Sequence, residues 1–343
     1  MFALQQLSFH FFALVLQKTR TKNKETPIIE IKNLHLSFAQ ENKKFEALRG
    51  INLTINESEI VGVAGESGSG KTITALSILG LLESNAEITE GEILFKGNNL
   101  LSLSEPEMNK IRGAKISMIF QEPMSALNPV LTIGYQISEV LLTHTSLSKK
   151  ESRERSIHLL DEVGISMAEH RYDSYPFELS GGMRQRAMIA MALAASPELL
   201  IADEPTTALD VTIQAQILDL IQKLSEKNKM AVLFITHDLG IVKMLTNRIA
   251  IMYAGEVIDT GNTAQVLKRQ KHPYTRGLLN SLPSMAFHNG KRKPLEPIPG
   301  QVPQLSDIKE GCTFYSRCSF RKKNCLNDIK IKKISQQEYK CIL

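Results

Sequence analysis

The chain has 343 residues, of which 43% are hydrophobic, and basic residues exceed acidic ones by five. This apolar content excludes wholesale disorder, and the length allows one large α/β domain with an appendage or two modest domains. The small positive charge suits an anionic ligand or a lipid surface, but by itself it does not indicate a nucleic-acid-binding protein. No apolar run reaches the roughly 18 residues that a membrane-spanning helix needs.

Residues 1–26 are interpreted as an N-terminal extension. The apolar run at residues 7–16 lacks the basic start and the small-residue cleavage site of a signal peptide, so we expect a cytoplasmic protein. Four basic residues follow the run: Lys18, Arg20, Lys22 and Lys24. The extension is either loosely ordered or an interfacial helix on an anionic membrane, and the sequence leaves both interpretations open.

Hydrophobic periodicity predicts strands that alternate with helices along most of the chain, which indicates a parallel sheet with helical crossovers. Proline-rich residues 283–303 then predict a linker into a small C-terminal module. The predicted strands are 28–36, 47–55, 60–64, 199–202 and 231–235, and the predicted helices are 72–82, 103–113, 149–164 and 213–226.

A glycine-rich turn between the strand at 60–64 and the following helix fits the pattern G-x-x-x-x-G-K-[ST]. Its glycines turn backbone N–H groups inward to form an anion nest, and the helix adds the positive end of its dipole. The lysine supplies a charge to the β- and γ-phosphates, and the threonine hydroxyl can ligate Mg²⁺. This phosphate loop is Gly65, Glu66, Ser67, Gly68, Ser69, Gly70, Lys71 and Thr72.

Two acids, Asp203 and Glu204, end the buried strand that begins at residue 199. Ligands of open α/β sheets lie at the carboxyl ends of the strands, so Asp203 is predicted to face the metal and Glu204 to act as the general base. Acids at strand ends are also ordinary turn residues. The phosphate loop in the same chain favours the catalytic interpretation.

Residues 179–186 read L-S-G-G-M-R-Q-R, which resembles the signature motif of ABC ATPases, L-S-G-G-x-x-x-R. Ser180 can cap a helix, and Gly181 and Gly182 expose backbone N–H groups, so this is a second anion site in one domain. The resemblance implies that two such chains dimerise head to tail. Each signature would then cover the ATP held by the phosphate loop of the other subunit.

Other positions follow the order of the same family. Gln121 resembles the Q-loop glutamine that reaches Mg²⁺ and the attacking water, and His237 resembles the switch histidine at the γ-phosphate. Residues 208–210 resemble the D-loop, which implies that Asp210 lies at the dimer interface. Phe38 is predicted to stack on adenine, although Phe45 lies close in sequence and an aromatic residue in a strand is more often part of the core.

The resemblance implies an α/β fold of the P-loop NTPase class: a RecA-like parallel sheet with an N-terminal antiparallel β subdomain. It also implies an ABC ATPase domain at residues 27–285, with an inserted helical subdomain at about 130–195. A small cysteine-containing module at 286–343 would follow. Three further stretches resemble the ATPases of dipeptide/oligopeptide permeases, specifically their D-type subunits: residues 121–129, 272–279 and 297–303.

The four cysteines of the chain all lie in its last tenth: Cys312, Cys318, Cys325 and Cys341. In a reducing compartment a metal or cluster site is the main alternative to chance. Their spacings match neither ferredoxins nor zinc ribbons. The resemblance implies a [4Fe–4S] cluster, with zinc as the alternative. Nearby basic residues are interpreted as solubilising the module: Arg317, Arg321, Lys322 and Lys323.

The resemblance therefore implies an ATP- and Mg²⁺-dependent ATPase on the cytoplasmic face of the inner membrane, powering uptake of di- or oligopeptides. Its implied partners are an F-type ATPase subunit, two transmembrane permease subunits and an extracytoplasmic peptide-binding protein. Nickel importers use closely similar ATPases and are kept as an alternative. A soluble ABC ATPase acting on nucleic acid is the remote alternative, disfavoured by the single phosphate loop and the lack of sustained heptads.

Overall fold

The computed structural model describes residues 27–40, 43–122, 126–207, 209–282, 287–288, 291–292, 296–308 and 310–343. The extension predicted for residues 1–26 lies outside this part of the chain. Two predicted functional stretches, 121–129 and 208–210, and the predicted linker at 283–303 are described in part.

The regular elements alternate along most of the chain. The strands are β1 (Pro27–Gln40), β2 (Lys43–Asn56), β3 (Ile60–Ala64), β4 (Ala86–Phe95), β5 (Asn98–Asn99), β6 (Ile116–Ile119), β7 (Leu199–Asp203), β8 (Ala231–Thr236), β9 (Arg248–Tyr253), β10 (Glu256–Asn262), β11 (Phe287–His288), β12 (Lys291–Arg292), β13 (Lys332–Ile334) and β14 (Gln337–Tyr339). The α-helices are α1 (Lys71–Leu79), α2 (Glu105–Asn109), α3 (Ile133–His144), α4 (Lys149–Glu162), α5 (Ala168–Tyr172), α6 (Gly181–Leu193), α7 (Val211–Asn228), α8 (Leu239–Leu245), α9 (Thr263–Arg269) and α10 (Pro273–Asn280).

The predicted alternation of strands and helices is confirmed, and the largest sheet has the order β13-β14-β10-β9-β3-β8-β7-β6. Five neighbouring strands of this sheet are parallel: β9, β3, β8, β7 and β6. Every residue of β3, β7 and β8 is buried, as their unbroken apolar sequences indicated, because helices and the second sheet cover both faces.

A separate antiparallel sheet has the order β2-β1-β4-β5. Strand β2 spans the whole of 43–56, so the prediction of a short strand element at 47–55 was too short. Its inner face packs with β3 and α1 in one hydrophobic core. A second core joins helices α3, α4 and α6 to the other face of the large sheet. The antiparallel sheet and the helical layer thus cover opposite faces of the parallel strands.

Residues 310–343, which we call the C-terminal segment, are attached directly to the large sheet. Strand β14 pairs with β10 and continues the sheet into β13. Phe314 and Cys318 are buried in the same core as Tyr253 of β9 and Tyr274 of α10. The segment therefore shares a core with β9, which is the neighbour of β3 in the sheet. The phosphate loop follows directly after β3.

Candidate nucleotide-binding and catalytic site

The phosphate loop turns from the end of β3 into the start of α1, the position that the sequence predicted. Gly68 and Gly70 have φ values of +77° and +99°, which residues with a Cβ rarely adopt. A Cβ on Gly65 would lie 2.2 Å from the carbonyl oxygen of Met252, so the loop packs tightly on β9. These glycines let the backbone fold closely around an anion.

Lys71 lies inside this loop and is only 5% exposed. Its Nζ donates hydrogen bonds to the carbonyl oxygens of Gly65 and Glu66, both at 2.9 Å. Burial lowers the pKa of Lys71, and the negative charges of Glu204 and Asp203 oppose that shift. A cation is thus placed where the phosphates of a nucleotide would enter.

Asp203, the last residue of β7, is 2% exposed and lies beside Thr72. Burial raises its pKa, while a hydrogen bond with the Thr72 side chain lowers it. The Oδ1 atom of Asp203 is buried and has no hydrogen-bond partner. A buried carboxylate oxygen without a partner beside a threonine hydroxyl fits a hard cation such as Mg²⁺, which prefers oxygen ligands.

Three residues predicted to act in catalysis meet in one hydrogen-bonded cluster around Glu204. The Gln121 Nε2 donates to Glu204 Oε2 at 3.2 Å, and the His237 Nδ1 lies 3.2 Å from the same oxygen. The Thr207 hydroxyl also donates to it, at 3.0 Å. The neighbouring strands β6, β7 and β8 each end just before one member of the predicted trio, which explains why residues so distant in sequence meet.

The backbone around Glu204 is held in an uncommon conformation. Glu204 has a φ of +45°, in the left-handed region, and its N–H donates to the carbonyl oxygen of Ile235 at 2.9 Å. The next carbonyl group, of Pro205, accepts a 2.6 Å hydrogen bond from the buried Gln185 Nε2 of helix α6. Sequence reasoning missed this role of Gln185, which connects the signature helix to the segment carrying Glu204.

The signature residues lie on the surface at the start of α6. The Ser180 side chain accepts a hydrogen bond from the Met183 N–H at 3.3 Å, as an N-cap does. Gly181 is exposed, and a Cβ placed on it would meet nothing within 4 Å. The helix start is therefore open to an approaching group.

Asp210 and Phe38 both have local structural roles. Asp210 caps α7 by accepting hydrogen bonds from the Thr212 and Ile213 N–H groups. Phe38 is partly buried against the core and pairs across strands β1 and β2 with Phe45. Both aromatic residues lie at the same end of this strand pair.

All four cysteines line one small cavity in the C-terminal segment, together with His272 and Arg321. Burial raises the pKa of Cys312 to about 11, and the neighbouring thiols add to that shift. Within the described residues, no group of three or more His, Cys, Asp or Glu side chains is arranged to hold a metal ion. The donors converge, but an iron–sulfur or zinc site is unsupported by this geometry.

The interpretation of Arg317 as a solubilising surface residue is wrong. Arg321, Lys322 and Lys323 are exposed as expected, whereas the Arg317 side chain is 4% exposed and pairs with Glu66 of the phosphate loop. Sequence reasoning missed it because the two residues are 251 positions apart.

Comparison with protein families gives two matches along the chain. Residues 48–207 match the ABC transporter family, and residues 258–325 match the family described as the oligopeptide/dipeptide transporter C-terminal region. The chain belongs to the ATP-binding proteins of the oligopeptide/dipeptide ABC transporter family. Its ATPase domain and its C-terminal region are thus assigned to the classes that the motifs indicated.

Individual relatives agree with this assignment. The chain is 49% identical to a probable peptide ABC transporter ATP-binding protein of Sinorhizobium fredii, over 85% of this chain and 87% of that protein. It is 46% identical to the oligopeptide transport ATP-binding protein OppD of Bacillus subtilis, over 87% of this chain and 83% of that protein.

Solved structures confirm the ABC ATPase fold. The dimeric structure of the ABC transporter cassette MJ0796 is similar with a TM-score of 0.62 and 32% identity, covering 68% of this chain and 98% of that one. The same cassette in a post-hydrolysis state with ADP and phosphate gives the same values. None of the helices in the described part of this chain has the length and apolar character needed to cross a bilayer.

Proposed function

We propose that this chain is the ATP-hydrolysing subunit of an ABC importer that powers uptake of di- or oligopeptides. The observation that carries the proposal is the convergence of Gln121, Glu204 and His237 next to the phosphate loop and Asp203. The match of residues 258–325 to a peptide-transporter region supports the cargo class, as do the peptide transporters named among the relatives.

In this proposal the phosphate loop and Lys71 hold the β- and γ-phosphates of ATP. Thr72, Asp203 and Gln121 would hold Mg²⁺, which supplies charge neutralisation of the phosphate oxygens when it is bound. Phe38 would stack on the adenine ring. The orphaned Oδ1 of Asp203 is the feature of this chain that best supports the cation site.

Hydrolysis needs a base that takes a proton from water as its oxygen attacks the γ-phosphate. Glu204 would take this proton, and its proximity to Gln121 and Thr207, which both donate to its Oε2, supports the assignment. Gln121 would orient the same water. His237, which is 61% exposed, would contact the γ-phosphate oxygen as charge develops there.

The open start of α6 supports a head-to-tail dimer in which Ser180, Gly181 and Gly182 cover the ATP of a partner subunit. Asp210 would lie along that interface, where the neighbouring Val211 is 81% exposed. The assembly would include an F-type ATPase subunit, two permease subunits and an extracytoplasmic peptide-binding protein. It would place this chain peripherally at the cytoplasmic face of the inner membrane.

The four converging cysteines are proposed to hold a [4Fe–4S] cluster, with zinc as the alternative. Either group would be held by thiolates of the four cysteines, which line one cavity: Cys312, Cys318, Cys325 and Cys341. Either group requires thiolates, which the raised pKa of Cys312 opposes until metal binds.

The test is the substitution Glu204→Gln in the complex reconstituted in liposomes. Binding of ATP should persist while turnover falls by about 10²-fold or more, because the variant loses the base and keeps the phosphate contacts. Glu226→Gln, at an exposed position of α7, is the matched control. Unchanged turnover in Glu204→Gln would remove the assigned base. Stimulation of wild-type turnover by nickel-loaded rather than peptide-loaded binding protein would overturn the cargo.

A further inference from the structure

An ion pair between the buried Arg317 and the partly exposed Glu66 connects the C-terminal segment to the phosphate loop. The Arg317 Nη1 donates to Glu66 Oε2 at 2.6 Å, and its Nη2 donates to Glu66 Oε1 at 3.0 Å. Both bonds are charge-assisted, and the paired geometry is one that arginine forms and lysine cannot. A residue of the C-terminal segment thus holds the second residue of the phosphate loop.

Arg317 is itself held firmly, so the pair has a defined position. Its Nε donates to the carbonyl oxygen of Pro299 at 2.8 Å, and its Nη2 also reaches that of Gly300 at 3.3 Å. The guanidinium group lies over the rings of Tyr253 and Phe314. These contacts hold the guanidinium group in one position, which an arginine that only increases solubility does not require.

Glu66 also forms a hydrogen bond with the lysine of the loop, so it connects Arg317 to Lys71. Its carbonyl oxygen accepts a 2.9 Å hydrogen bond from Lys71 Nζ, and its N–H donates to the Tyr274 hydroxyl oxygen at 2.8 Å. One residue therefore contacts Arg317 through its carboxylate, α10 through its amide and Lys71 through its carbonyl group. A change at Arg317 acts on the phosphate loop through Glu66.

The pair also has an electrostatic consequence. Glu66 places a negative charge on a loop that must accept a highly negative triphosphate. Arg317 neutralises that charge at close range, through its two hydrogen bonds to the carboxylate oxygens. Without Arg317, the Glu66 carboxylate would repel the incoming phosphates.

We propose that Arg317 is a positioning residue through which the C-terminal segment sets the ATP affinity of the phosphate loop. The proposal rests on the proposed function, since it assumes that this loop binds ATP. It assigns the C-terminal segment a role in the nucleotide cycle, separate from any group that its cysteines hold.

The experiment measures binding of a fluorescent, non-hydrolysable ATP analogue with Mg²⁺ to the full chain. Arg317→Gln is expected to weaken binding about tenfold at low salt, and the loss should shrink as the salt concentration rises, because it is electrostatic. In a Glu66→Gln background the same substitution should change affinity by less than about twofold, because no carboxylate is left to neutralise. Lys333→Gln is the control: it removes the same charge from a side chain of the segment that is 68% exposed.

Two results would overturn the proposal. One is wild-type affinity in Arg317→Gln, and the other is an equal loss of affinity with and without the Glu66 carboxylate, which would indicate a purely structural role. If Arg317→Gln does not fold, Arg317→Lys keeps the charge without the paired geometry. Arg317→Lys should lose affinity by a smaller factor than Arg317→Gln, and this loss should disappear in the Glu66→Gln background. Wild-type affinity in Arg317→Lys would also count against the proposal. Failure of the wild-type chain to bind the analogue would instead refute the proposed function.

Discussion

Asp259 makes the stability of this protein depend on pH in a direction that can be worked out from its surroundings. The residue lies in β10, is fully buried, and accepts hydrogen bonds from Gln337 at 2.8 Å and Thr275 at 2.9 Å. Burial raises its pKa from 3.8 to about 6, against the effect of those hydrogen bonds. The side chain thus joins β10, α10 and the C-terminal segment at the cost of holding a charge away from water.

The raised pKa means that the folded protein retains a proton on Asp259 where the unfolded chain has lost it. The free energy of unfolding should therefore decrease as pH rises between about 4 and 6. At 1.36 kcal/mol per pKa unit, the shift from 3.8 to about 6 corresponds to about 3 kcal/mol in full. About 1.4 kcal/mol of it falls between roughly pH 5 and 7.5, a range in which the experiment is practical.

The measurement compares Asp259→Asn with the wild type by chemical denaturation at several pH values. The substitution removes the titrating group, so the variant should gain about 1.4 kcal/mol relative to the wild type on going from about pH 5 to 7.5. Asp328→Asn, at an exposed position of the C-terminal segment, is the control for the loss of a carboxylate that is not buried. A pH-independent difference for Asp259→Asn, or one of opposite sign, would refute the reasoning.

Three further substitutions test the site itself. Asp203→Asn should raise the Mg²⁺ concentration needed for turnover by roughly 10- to 100-fold, because a neutral amide replaces the buried carboxylate with its unpartnered oxygen; titration of ATPase activity with Mg²⁺ measures it. Gln185→Ala leaves the buried carbonyl group of Pro205 unpaired, so the free energy of unfolding should fall by about 1–3 kcal/mol and turnover should fall more than ATP binding. Gly65→Ala should abolish ATP binding in a folded chain, because the new Cβ would meet the Met252 carbonyl oxygen; retained affinity would show that the loop can move aside.

Contiguous motifs let the sequence by itself determine the phosphate loop and the class of the fold. A loop such as 65–72 functions through the backbone conformation of neighbouring residues, so residue types at fixed spacing are enough to identify it. The buried strands at 60–64, 199–203 and 231–236 were recognisable for a similar reason, since strands covered on both faces read as unbroken apolar runs.

Only the tertiary structure decided which separated residues meet. The adjacency of β6, β7 and β8 brings Gln121 to Glu204, and no local pattern encodes the order of strands in a sheet. Tertiary structure also decided the contact that Arg317 makes, because in the sequence this residue stands among basic residues that lie on the surface. Its pairing with Glu66 depends on β14 joining β10 and on the shared core around Tyr253, because burial and ion pairing are set by contacts between distant parts of the chain.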